Sequence, residues 1–159
     1  MSTTDGDATP TLVEWAGGPP AMARLIDAFY DRVEREDLLS PFFPGGVTVA
    51  HRRHVAAWWI EVFGGPADYT DRLGGYDRML AHHRDLAITG EQRLRFATTM
   101  SQAADDVGLP AVPEFRAALV SYLEWGTRLA MGNSQPGATP PAHAPVPRWG
   151  WGVAPPYIP

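Results

Sequence analysis

Apolar residues recur at helical spacing in four separate stretches of this chain, with polar residues between them. In the first, Met22, Leu25, Ile26, Phe29 and Val33 follow one another at three- and four-residue steps, while Arg24, Asp31, Arg32 and Glu34 mostly fill the other face. That period is the signature of an amphipathic α-helix. Pro19 and Pro20 stand where such a helix would begin, since first-turn N–H groups have no intrahelical acceptor to lose. A second stretch, roughly 47–63, brings Val55, Trp58, Trp59, Val62 and Phe63 close together. A third, roughly 90–107, carries Leu94, Ala97, Met100, Ala104 and Val107. A fourth, roughly 113–131, opens on Pro113 and continues through Phe115, Leu119, Tyr122, Leu123 and Leu129. No stretch alternates as a half-buried strand does. The pattern predicts an all-α fold with about four substantial helices and one short helix near 77–83.

Glycine and proline mark the joints: GGPP at 17–20, FPGG at 43–46, GGP at 64–66, GG at 74–75 and GLPAVP at 108–113. One joint is unusually long. The fourteen residues GGPADYTDRLGGYD read as a loop and lead into RMLAHHRDLAI. Loops of that length in small domains are either functional or without fixed structure. Beyond Met131 the chain turns to NSQPGATPPAHAPVPRWGWGVAPPYIP, which has no helical period. Three parts are expected: a disordered leader at 1–11, a helical domain at 12–132 and a Pro/Gly/Trp-rich extension at 133–159. Two Trp and Tyr157 in the extension are costly to leave in water. The extension is therefore expected to fold back or to dock on a partner, and His143 approaches the domain only in the first case.

Composition narrows the class. At 159 residues and 45% hydrophobic content the chain supports one domain with one core. A formal charge of −5 with no basic block argues against nucleic acid or an anionic membrane surface as partner. There is no Cys, which removes disulfides, thiolate metal sites and cysteine nucleophiles. No apolar run reaches the length of a membrane span, and the acidic MSTTDGDATP start does not resemble a signal peptide, so a cytoplasmic location is expected.

The candidate chemistry lies in the five histidines, His51, His54, His82, His83 and His143. Adjacent helical residues point about 100° apart, so only one of His82 and His83 can face the interior. Met79, His83 and Leu86 fall on one stripe at spacings of four and three, which turns His83 inward and His82 outward. By spacing alone, an inward histidine is either a structural residue bonded to a carbonyl or a ligand.

Four segments carry a resemblance that bears on this choice. FYDRV at 29–33, PFFP at 41–44, FGGP at 63–66 and HHRDLAITGEQRLRF at 82–96 fall in the order and spacing seen in group II truncated haemoglobins. Each is weak alone; together they cover roughly 12–131 and leave the extension unmatched. The resemblance implies a two-on-two helical sandwich enclosing haem b. It implies His83 as the iron ligand, through alignment on Leu86, Ala87 and Ile88; counting straight from Gly64, Gly65 and Pro66 lands on His82 instead. Tyr30 matches the tyrosine on the ligand side, where a phenol O–H in a dry pocket stabilises charge on a diatomic ligand. Phe43 matches an aromatic on the haem face, Val55 and His51 match pocket positions on the ligand side, and His54 matches a basic position that meets a propionate. Met79, Ile88 and Phe96 are expected to line the cofactor. Phe96 departs from the family pattern, which places a Trp there; Phe keeps the ring and loses the N–H donor.

By the same resemblance the chain is expected to bind oxygen, nitric oxide or another small ligand reversibly. Nitric oxide dioxygenation or peroxide reduction would assign catalytic roles to Tyr30 and His51. An external reductase is implied, because no flavin or nicotinamide fingerprint is visible. Homodimerisation stays open. A non-catalytic gas carrier or sensor uses the same residues. Two readings without haem also stand: a non-haem metal site from His51, His54 and Glu61, which needs further ligands, and a helical interaction module whose extension does the binding.

Overall fold

The computed structural model describes residues 10–148, so most of the expected leader, and Trp149, Trp151 and Tyr157 of the extension, lie outside the described residues. Within them the chain forms seven α-helices and no strand. These are α1 (Leu12–Ala16), α2 (Pro19–Val33), α3 (Val49–Val62), α4 (Asp68–Arg72), α5 (Gly75–His83), α6 (Gly90–Asp106) and α7 (Pro113–Asn133), with a 3₁₀ turn at Ser40–Phe42. None of them is long and apolar enough to cross a membrane.

The helix starts follow from local chemistry. Thr11 Oγ1 accepts the Glu14 N–H at 3.1 Å and the Glu14 carboxylate accepts the Thr11 N–H at 3.3 Å, a capping box that launches α1. Thr89 and Gln92 repeat the device at α6, and Thr48 caps α3 through the His51 N–H. Prolines open α2 and α7.

Helices α2 and α3 form one layer and α6 and α7 the other, so the expected two-on-two sandwich is present. Met22, Leu25, Ile26, Phe29 and Val33 of α2 are fully buried against Met100, Ala103 and Ala104 of α6 and Phe115, Leu119 and Leu123 of α7. Burying each large apolar side chain contributes about 1.5–3 kcal/mol. Helix α3 has two inward faces. Ala56, Trp59 and Val62 enter the core, while His51, Val55 and Trp58 border a cavity. Where α7 crosses α3 the contact is close: a Cβ built on Gly126 would stand 2.9 Å from the Trp59 ring.

Two elements differ from the sequence reading. Helix α1, just before the GGPP joint, is absent from the helices the pattern predicts, and its five residues are too few to show a period. The fourteen-residue loop contains α4, whose Tyr69 is buried and meets the Trp58 ring edge-on at 5.4 Å. The chain after α7 is also ordered against the body: Val146 packs on the core, Tyr76 Oη donates to the Pro141 carbonyl at 3.0 Å, and Arg148 Nη1 donates to the Val62 carbonyl at 2.8 Å. His143 is exposed and does not border the cavity.

Candidate functional site

Side chains from α2, α3, α5, α6 and α7 enclose a predominantly apolar cavity of about 390 Å³. That volume lies within the range of small-molecule and cofactor pockets. All nine residues singled out from the sequence border it: Tyr30, Phe43, His51, His54, Val55, Met79, His83, Ile88 and Phe96.

His83 ends α5, and its Nδ1 lies 2.8 Å from the Met79 carbonyl one turn back. A carbonyl can only accept, so Nδ1 carries the proton and donates. Nε2 is then the bare nitrogen, the form an imidazole must have to bind a metal. Burial holds the His83 pKa below its ordinary value; the Met79 carbonyl opposes this and nearby His82 adds to it. The ring is thus neutral near pH 7. The carbonyl-bonded arrangement left open by spacing is present, and its geometry leaves Nε2 free for the ligating one.

The helix stops at His83, so Leu86 is not on its stripe as the spacing predicted. Asp85 and Ala87 adopt positive φ (61° and 52°), which breaks the helical path. Leu86 borders the cavity from the loop and stays 42% exposed. Non-glycine residues in this region cost roughly 1–3 kcal/mol each and persist where surrounding contacts over-determine them. Here Ala87 N–H donates to the Ser134 carbonyl at 2.9 Å and Ile88 N–H to Ser134 Oγ at 3.0 Å. His82, expected to face outward, is the more exposed of the pair, yet it too borders the cavity.

Tyr30 and His51 form a polar pair on α2 and α3. Tyr30 is 3% exposed, and its hydroxyl lies 3.1 Å from His51 Nε2, the donor being set by the imidazole tautomer. Phe29, Phe43 and His51 surround the Tyr30 ring edge-on at 4.9, 5.5 and 5.4 Å. Burial pushes the Tyr30 pKa well above the ordinary phenol value, with Arg52 opposing, so the hydroxyl keeps its proton. Burial also holds His51 below the ordinary histidine value, and His82, His54 and His83 add to the effect. Phe96 packs on Phe29 at 4.6 Å and presents no donor.

Sequence reasoning missed several cavity residues. Tyr76 sat within the stretch read as loop. Arg93, whose Nη1 pairs with the Glu124 carboxylate at 2.8 Å, borders the cavity one turn before Phe96, and that three-residue spacing was the available signal. Trp58 borders the cavity and stacks on Trp125 at 6.5 Å. Glu61, the third candidate for a non-haem metal site, is turned to Thr70, whose N–H and Oγ1 donate to its carboxylate at 3.1 and 2.8 Å. Among the described residues no three His, Asp or Glu are grouped to hold a metal ion.

A helical sandwich around one cavity, with a bare imidazole nitrogen and a phenol–imidazole pair on its walls, has the architecture of a globin. A family model described as bacterial-like globin matches residues 11–125. The group 2 truncated hemoglobin YjbI of Bacillus subtilis is 33% identical over 118 residues, covering 74% of this chain and 86% of that protein. The crystal structure of the group II truncated hemoglobin from Bacillus anthracis superposes with a TM-score of 0.69 at 27% identity, covering 79% of this chain and 92% of that one. The truncated oxygen-avid haemoglobin of Bacillus subtilis superposes at 0.65 with 31% identity, covering 75% and 97%. The chain belongs to the bacterial-like globin family, among the group II truncated haemoglobins.

Proposed function

We propose that this chain binds haem b in the α2–α3–α5–α6–α7 cavity and uses it to bind oxygen or another diatomic gas. The observation that carries the reading is the His83 geometry: Nδ1 committed to Met79 O at 2.8 Å, and the ring on the wall of an apolar cavity. The donor set fits the cofactor, since one neutral imidazole supplies the iron ligand and apolar side chains suit the ring plane.

When bound, haem supplies an iron with an open coordination position for a small ligand. His83 Nε2 would hold the iron, and the Nδ1–H···O bond to Met79 would orient the ring and raise its basicity. Phe43, Val55, Met79, Ile88 and Phe96 would enclose the macrocycle and exclude water, and His54 would meet a propionate. Tyr30 Oη, protonated and nearly dry, would donate to charge on the ligand. His51 Nε2, beside Tyr30 Oη, would hold or pass a proton at that atom. With Phe96 lacking a donor, those two residues carry the polar chemistry of the ligand side.

Redox turnover, as nitric oxide dioxygenation or peroxide reduction, would draw electrons from an external reductase. Visible spectra of the purified, haem-reconstituted protein test the reading. A Soret band is expected, lost in His83→Ala and retained in His82→Ala. No band in the wild-type chain overturns haem binding; the reverse pattern moves the iron ligand to His82. Gas binding without catalytic consumption of nitric oxide or peroxide in the presence of a reductant would leave a carrier or sensor.

A further inference from the structure

The chain continues past the family match, which ends at residue 125, and the segment after α7 attaches to both ends of α5. Ser134 is fully buried. Its carbonyl accepts the Ala87 N–H at 2.9 Å, and its Oγ accepts the Ile88 N–H at 3.0 Å while donating to the Met131 carbonyl at 2.8 Å. Gln135 Nε2 donates to the Ile88 carbonyl at 2.8 Å and to Met131 O at 2.9 Å. Further along, the Pro141 carbonyl accepts the Tyr76 O–H at 3.0 Å, in the first turn of α5. Arg148 then fastens the segment to the end of α3 at Val62 O.

We propose that residues 134–148 position His83, with Ser134 and Gln135 holding the loop that comes after it and Pro141 holding the start of its helix. Three observations converge. Helix α5 fully buries only Gly75 among its own residues, so its packing holds it less firmly than the core helices are held. The loop after His83 carries two non-glycine residues at positive φ, Asp85 and Ala87, and such a path returns to ordinary backbone unless outside contacts impose it. Those contacts come from Ser134 and Gln135, on both flanks of the Ala87–Ile88 peptide. Removing Ser134 Oγ leaves the Ile88 N–H without its acceptor in a partly buried setting, which favours a rearranged loop over a merely weakened one.

Ser134 does not border the cavity; it acts through Ala87 and Ile88 on the imidazole four residues before Ala87. Its role as a positioning residue for iron rests on the haem reading above, whereas its grip on the loop does not.

The test uses the full chain, with and without haem, in Ser134→Ala, Gln135→Ala and Ser134→Thr. In the haem-free protein, hydrogen exchange at Ile88 should accelerate at least tenfold in Ser134→Ala, while the Ile26 and Phe29 amides of α2 stay unchanged. In the ferrous, ligand-free haem protein, the iron–histidine stretching band should shift or broaden in Ser134→Ala, with haem loss several-fold faster, and return in Ser134→Thr. Leu119→Val, a core change remote from the loop, should lower Tm without moving the band. Unchanged exchange at Ile88 overturns the clamp. An unchanged band, or the same band shift in Leu119→Val, overturns the positioning role. If Ser134→Ala does not fold, exposed Gln135→Ala carries the same comparison through Ile88 O. Absence of any haem spectrum counts against the haem reading and with it the positioning of iron, while the exchange experiment still decides the clamp.

Discussion

Helices α2 and α5 both wall the cavity, and they are built in opposite ways. Seven residues of α2 are buried, Phe29 and Tyr30 among them, in a core shared with α6 and α7. Helix α5 buries Gly75 alone and turns Met79, Leu80 and His83 to the cavity. Tyr30, the proposed donor of the ligand side, is therefore placed by the folding core. His83, the proposed iron ligand, ends a helix whose following loop is held by contacts from the C-terminal segment. A binding protein gains from the division: one wall is preorganised and the other admits its cofactor.

The sharpest way to break this contrast is Phe29→Ala. It should cost about 3–5 kcal/mol, read as a lowered urea midpoint with unchanged slope. Met79→Ala on α5, at a half-buried position, should cost haem-free stability less than the roughly 2–5 kcal/mol of a fully buried Met→Ala change and instead weaken haem retention. Equal costs at the two sites would erase the distinction. Haem at a free concentration about a hundredfold above its Kd should add about 2.7 kcal/mol of stability, with the gain in hydrogen-exchange protection falling on α5 more than on α2. Uniform protection would show that α5 is already as well held as the core.

Tyr30→Phe sharpens the comparison on the other wall. Losing a hydrogen bond to a charged partner, about 1.5–3 kcal/mol, should speed oxygen dissociation by roughly tenfold to a hundredfold in stopped flow. An unchanged rate removes Tyr30 from ligand stabilisation. The smallest effect concerns pH. His51 has a folded-state pKa below its ordinary value of 6.5, so the unfolded chain binds the proton first as pH falls. Its contribution to stability is present above 6.5 and is lost as pH falls through the folded-state value. Haem-free unfolding from about pH 8 to about pH 5 should show this acid loss, and His51→Ala should flatten part of it. An identical slope in the variant would assign the loss elsewhere.

Residues whose pattern records a large buried face were legible. Met22 through Val33 marked out α2, because Pro19 and the helical period speak for the same element. All nine residues proposed for the site reach one cavity, since a resemblance in order and spacing carries positions even where periodicity does not. The features that stayed hidden are held from afar. Helix α4 has five residues and no face of its own, and it depends on Tyr69 meeting Trp58. The displacement of Leu86 off the α5 stripe comes with two left-handed residues, Asp85 and Ala87, and Ser134 bonds Ala87 and its neighbour Ile88, the latter across a sequence separation of 46, which no local rule foresees. The start of α1 carried a signal that the period alone passes over, the Thr11-x-x-Glu14 box that caps it.

The Gly126–Trp59 crossing has a consequence for how this sequence can change over time. The two positions act as one volume: a methyl at 126 would stand 2.9 Å from the indole, so the ring or the helix would have to shift to admit it. Either shift alters the chamber that both residues border. A lineage exploring single replacements would find position 126 closed, whereas Gly126→Ala becomes accessible once Trp59 is traded for a smaller ring. The crossing thus couples the two positions in this chain, so that the size of the side chain at either one sets what the other can accept.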